Sequence, residues 1–137
     1  MELRVDNQLD EQTEVLIKNI IGAAIDVHRE LGPGYLEKVY EQAMGLELRH
    51  RGLSYATQVP FAVCYKGVKI HGQVLDMVVE GKVILELKSV EMLLQIHEAQ
   101  IISYRKSTRL PAGLLINFKE KLVKDGIKRF VLSKHFQ

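Results

Sequence analysis

The spacing of apolar residues changes period along the chain. Leu16, Ile20, Ala23, Ala24, Val27 and Leu31 recur at three- and four-residue intervals, which predicts a helix with one apolar face. Asp10 is suited to cap its start, Glu11 and Glu14 favour the positive end of its dipole, and Gly32-Pro33-Gly34 stops it. Leu36, Val39, Tyr40, Ala43, Leu46 and Leu48 predict a second helix over roughly residues 35–51, ended by Gly52. The middle of the chain turns to β-branched and aromatic residues. Strands are expected over 53–65, at Val68 and Ile70, over 74–79 and over 83–88, with turns at Lys66-Gly67 and Glu80-Gly81-Lys82. Gly72 separates the second strand from the third, and Pro60 sets the first at an edge or a break. A third helix is expected over 91–107, a strand buried on both faces over 112–118, and a last strand over 126–132. The order ααββββαββ ends in a strand–helix–strand unit, which implies a mixed sheet with helices packed on it.

No repeat or linker divides the 137 residues, so 1–137 are read as a single domain. A hydrophobic content of 47% excludes disorder as the main state. No apolar run approaches the roughly 20 residues of a membrane-spanning helix, and no membrane partner is expected. The polar start MELRVDNQLDEQTE is unlike a secretory or organellar leader, so a cytoplasmic location is expected. The single cysteine, Cys64, excludes an internal disulfide and a multi-cysteine zinc site. In its alternating apolar run it reads as a buried, inert thiol, with a Cys–His nucleophile as the alternative. The net charge of +2 does not announce a nucleic-acid binder. Charge is unevenly spread, with five acids against one base in residues 1–14 and six bases against two acids in 119–137. That tail reads as a solvated strand and loop in preference to a phosphate-binding surface.

Two acids stand inside apolar strands. Asp76 lies among Val74, Leu75, Met77 and Val78, and Glu86 among Ile84, Leu85 and Leu87. Strand side chains alternate faces, so Glu86 and Lys88 point the same way. A three-residue turn centred on Gly81 sets Asp76 opposite Glu86 on one face, whereas a two-residue turn, Glu80-Gly81, slips the register and separates them. Paired carboxylates repel unless a cation lies between them or one is protonated, and oxygen ligands of this kind suit Mg²⁺ or Mn²⁺. Lys88 is then placed to orient water or to stabilise charge on a phosphate. A buried ion pair, Glu86–Lys88 or Asp76–Lys88, is the competing structural explanation.

Asp76 followed by Glu86-Leu87-Lys88 resembles the core of the PD-(D/E)xK nuclease superfamily, where a hairpin carries the acid and the Glu-x-Lys and a helix follows. His97, Gln100 and Tyr104 share one face of that helix, and Gln100-x-x-x-Tyr104 resembles the Gln-x-x-x-Tyr motif of the RecB-like branch. Gly34-x-x-Glu37-x-x-Tyr40 is similar to the signature of the GxxExxY protein family within that superfamily. Val27-His28-Arg29-Glu30-Leu31-Gly32-Pro33, Gln58-Val59-Pro60, His97-Glu98-Ala99 and Gly113-Leu114-Leu115-Ile116-Asn117-Phe118 extend the resemblance over roughly residues 12–132. One departure is Val74-Leu75, where family members carry a basic or aromatic residue before the acid.

The resemblance implies a restriction-endonuclease-like α/β fold, a mixed β-sheet flanked by helices with an additional N-terminal helix. It implies a metal-dependent nuclease hydrolysing phosphodiester bonds, with Mg²⁺ or Mn²⁺ as cofactor and nucleic acid as partner, DNA before RNA. Asp76, Glu86, Lys88 and Gln100 would be catalytic, Glu37 would join Asp76 and Glu86 at the metal, and Tyr40, His97 and Tyr104 would lie beside the substrate or behind the ligands. Glu37 and Tyr40 are expected to share the inward face of their helix, although a helix-start Glu also simply favours the dipole. His28 is suited to capping helix carbonyls, and both His28 and His97 read as structural rather than catalytic. A homodimer is a candidate assembly. The alternative function is a nuclease-fold binding or regulatory protein that cuts slowly or not at all.

Overall fold

A computed structural model describes residues 9–131. Helix α1, Glu11–Leu31, begins where expected, with the Asp10 carboxyl accepting from the Thr13 amide at 2.7 Å. It ends at Gly32, whose positive φ of 73° lets its amide bond the His28 carbonyl at 2.7 Å. Helix α2, Glu37–His50, buries Tyr40, Met44 and Leu48 at four-residue spacing. Strands β1 (Tyr55–Tyr65), β2 (Val68–Val79) and β3 (Val83–Lys88) follow, then helix α3 (Gln95–Thr108), strand β4 (Ala112–Asn117), a 3₁₀ turn at Val123–Gly126 and strand β5 (Ile127–Val131). The expected extension of the last strand to Leu132 lies outside the described residues, as do Lys134 and the chain before Leu9.

The sheet has the order β1-β2-β3-β4-β5, with β3 and β4 parallel and the other pairs antiparallel. The chain crosses from β3 to β4 through α3, so the sheet is mixed, as a strand–helix–strand unit requires. Helices α1 and α2 cover one face with Ile17, Ile20, Ala24, Tyr40, Met44 and Leu48 against Met77, Leu85, Leu87 and Leu114. Helix α3 covers the other face, where Ile84, Val78 and Leu75 meet Tyr104. Gly113 makes this approach close, because a Cβ there would stand 2.9 Å from Ile101 Cδ1. All of β4 and β3 from Val83 to Leu87 are buried. Among the described residues no helix is long and apolar enough to cross a membrane.

Two expectations are corrected. Gly72 does not end a strand. The outer half of β2 keeps its pairing with β1, and the register slips by one residue between the Val63–Ile70 and Phe61–Gln73 pairs, with Gly72 at φ 121°. Glycine there admits a bulge, so the two short strands are one long one. Cys64 is exposed rather than buried, because β1 and β2 run on beyond β3 and only the C-terminal end of α3 comes near them there. The edge position of Pro60 follows, since β1 is the outermost strand.

Candidate active site

The β2–β3 hairpin closes through the three residues Glu80-Gly81-Lys82, pairing Val79 with Val83, Val78 with Ile84 and Met77 with Leu85. That is the register which sets Asp76 opposite Glu86. The main-chain ladder stops there and the two carboxyls take its place. The Asp76 amide donates to Glu86 Oε2 at 3.0 Å, and the Leu87 amide donates to Asp76 Oδ2 at 3.0 Å. Each acid thus reaches across to the other's strand and satisfies an amide that the parting strands would leave bare. Strand β2 also turns over at this point. Leu75 packs with Val78 and Ile84 instead of with Met77, and Gln58 on the neighbouring strand has φ 51°. The acids therefore lie at a bend of the sheet, on the α3 side.

Glu86 is 5% exposed and Asp76 is half-buried. Burial first, and the Asp76 charge next, push the Glu86 carboxyl up to about 7, with the more distant Glu37 charge adding to the rise. Burial raises Asp76 as well. Lys88 shares the face of Glu86, and its charge opposes both rises. No ion pair joins Lys88 to either acid among the described residues, so the buried pair that competed with a metal site does not form. Among the hydrogen bonds described, Asp76 Oδ1 and Glu86 Oε1 accept none.

Helix α3 brings Tyr104 beside the pair. Its hydroxyl is raised by burial and then by the Glu86 and Asp76 charges, and its ring meets Phe61 edge-on at 5.2 Å. Gln100 lies one turn earlier, half-buried, with no hydrogen bond to either acid. His97 serves the helix itself, its Nδ1 accepting from the Leu94 amide at 2.9 Å at the start of α3. Glu37 and Tyr40, one turn apart on α2, differ in burial. Tyr40 is fully buried, whereas Glu37 is exposed as the first residue of α2. The Tyr40 hydroxyl donates to the Gly32 carbonyl and accepts from the Tyr35 amide at 3.2 Å, and its ring stacks on Phe118 at 4.4 Å. Its work is to hold the turn that leads into Glu37. His28 does not cap its own helix but bonds the Glu120 carbonyl at 2.8 Å.

Asn117 and Ser89 support the site, a role that their place in the sequence does not announce. Asn117 is fully buried beside Lys88 and grips Val90 at both ends of its peptide groups, with Oδ1 accepting from the Val90 amide at 3.1 Å and Nδ2 donating to the Val90 carbonyl at 2.9 Å. Ser89 Oγ donates to the Tyr35 carbonyl at 2.8 Å, tying the end of β3 to the turn before α2. A polar residue closing the otherwise apolar run Gly113-Leu114-Leu115-Ile116-Asn117 was the available signal.

A family model for the PD-(D/E)XK nuclease superfamily matches residues 14–130. The chain belongs to the PD-(D/E)XK nuclease superfamily. No curated protein and no solved structure matches it. The match runs from α1 into β5, so the hairpin that pairs Asp76 with Glu86 lies within the matched residues. As a superfamily member the chain has nucleic acid as its implied substrate class, and the five-stranded mixed sheet with its flanking helices is consistent with a restriction-endonuclease-like fold. Among the described residues no three or more His, Cys, Asp or Glu side chains are grouped to hold a metal. Asp76 and Glu86 still fit a hard divalent cation, because Mg²⁺ keeps several waters and needs only one or two protein carboxylates. Glu37 acts on Glu86 through its charge.

Proposed function

We propose that the protein is a divalent-metal-dependent nuclease of the GxxExxY type that hydrolyses phosphodiester bonds, with DNA preferred to RNA. The observation that carries this reading is the reciprocal hold of Asp76 and Glu86 across the bend of the hairpin, each with one carboxyl oxygen left over. Those two residues would hold Mg²⁺ or Mn²⁺. When bound, the ion would supply Lewis-acid polarisation of the phosphoryl group and make water more acidic. Lys88, on the same face, stabilises the charge that develops on the phosphate. Gln100 and Tyr104 border the site from α3, and Glu37 adds negative charge from the start of α2. The peptide links through Asn117 and Ser89 fix the strand end that carries Lys88.

The test is a melting curve and a gel. Millimolar Mg²⁺ or Mn²⁺ is expected to raise Tm, as any ligand of the native state does, adding about 2.7 kcal/mol of stability at a hundredfold excess over Kd. Lys88→Ala is expected to keep that rise and to lose cleavage by orders of magnitude. Metal-dependent stabilisation with no cleavage of single-stranded, duplex or branched DNA or of RNA would move the reading to a nuclease-fold binding protein.

A further inference from the structure

Beyond the bend, the outer strands leave the sheet. β2 pairs with β3 only over Met77, Val78 and Val79, while β1 and β2 stay paired out to Tyr65 and Val68. The result is a two-stranded ribbon with no third strand beside it, and every residue from Val68 to Val74 is exposed. Its charge is one-sided. No acid occurs between Glu47 and Asp76, and none between Glu98 and Glu120. These two acid-free stretches meet in space. A cleft of about 440 Å³ is lined by Val63, Cys64 and Lys69 of the ribbon and by Lys106, Ser107 and Arg109 at the end of α3. None of its three cations is in an ion pair among the described residues, whereas Lys119, Lys128 and Arg129 of the basic tail are matched by Glu91, Glu98 and Glu14. Lys66, at the turn, rests over the Tyr65 ring at 5.5 Å.

We propose that the β1–β2 ribbon and the C-terminal end of α3 form a docking surface for duplex DNA, separate from the acid pair. Cations gathered on one surface without counter-charges attract phosphates. The major groove of B-form DNA admits a two-stranded β-ribbon, and the deep, narrow groove of an RNA duplex does not. Tyr65, Val68 and Ile70, all exposed near the ribbon tip, supply the apolar contacts that base edges accept. Lys69 lies seven residues from Asp76 along β2, which at about 3.3 Å per residue is about 23 Å. That reach corresponds to about seven base pairs at 3.4 Å each, so the ribbon grips the duplex well away from the phosphate at Asp76 and Glu86. The choice of DNA as occupant rests on the nuclease reading.

The chain carries its own probe, since Cys64 is the single cysteine and is exposed at the cleft. The rate of Cys64 alkylation is measured with a chelator present, with and without a duplex of about 20 base pairs, alongside binding by fluorescence anisotropy. The duplex is expected to slow alkylation about tenfold or more, with the protection lost at high salt. Lys69→Gln and Lys106→Gln are each expected to weaken binding several-fold and to lower the salt slope by about one. A duplex that binds while Cys64 reacts at its free rate, or variants that bind as the wild type does, would overturn the docking surface. So would a chain that shields Cys64 with single strands alone. Cleavage is scored separately on short single-stranded DNA with Mg²⁺. Cleavage without shielding removes the ribbon's role and leaves the nuclease reading intact, whereas shielding without cleavage does the reverse.

Discussion

Glu86 is the residue on which the chemistry and the stability of this protein meet. In the unfolded chain its carboxyl loses its proton near 4.5, and in the folded protein near 7. A folded-state value raised above the unfolded one means that the metal-free protein is most stable below about 4.5, as far as this group is concerned, and loses that contribution as pH rises towards 7. The loss is on the order of 3 kcal/mol at most. Asp76, raised for the same first reason, adds in the same direction. Metal-free Glu86→Gln is therefore expected to be more stable than the wild type at pH 8, and to lose most of the downward slope between pH 5 and pH 8 in chemical denaturation. An unchanged slope would mean that Glu86 is ionised in the folded state throughout. The pairing of Asp76 with Glu86 was legible in the sequence once a three-residue turn was chosen, because an apolar strand with one acid in it demands a partner. The separation of Glu37 from Tyr40 was not. A helix start is only partly covered by the sheet, so two residues of one stripe can differ completely in burial.

Among the elements, the apolar periodicity predicted those that pack against another layer and failed on those that do not. Helix α1 runs from its Asp10 cap to Gly32 as read, and β4 is buried on both faces. The outer halves of β1 and β2 have the same alternating sequence but are only partly covered by α3, so the pattern wrongly implied a buried Cys64. Helix α3 starts four residues later than periodicity suggested, because the segment after Lys88 is held as a loop by Asn117. Asn117→Ala is expected to strand both polar groups of Val90 and to destabilise the protein by roughly 2 kcal/mol or more, read from denaturant midpoints. Arg105 on the same helix is 6% exposed with Nε and Nη1 unpartnered among the described residues, and nothing else in the structure explains it.

At the scale of the whole molecule, two layers of helix protect the middle of the sheet and leave its outer ribbon bare. Native-state hydrogen exchange should follow that division. The slowest amides are expected in β3 and β4, and the amides between Ala62 and Gly72 are expected to exchange orders of magnitude faster. Equal protection along the full length of β2 would contradict an unsupported ribbon. The strand order β1-β2-β3-β4-β5 was not readable from periodicity beyond its mixed character, since which edge each hairpin adds to depends on the helices that cover it.

The three-residue closure of the β2–β3 hairpin has a kinetic consequence. Joining Met77 to Leu85 requires a loop of only a few residues, whereas pairing β3 with β4 must await the passage of α3 over the sheet. The two carboxyls are local enough to meet while water still surrounds them, and their repulsion is greatest once α3 covers Glu86. A cation that relieves this repulsion is expected to act mainly on the folded state. In a chevron plot Mg²⁺ is therefore expected to depress the unfolding limb and to leave the folding limb almost where it was.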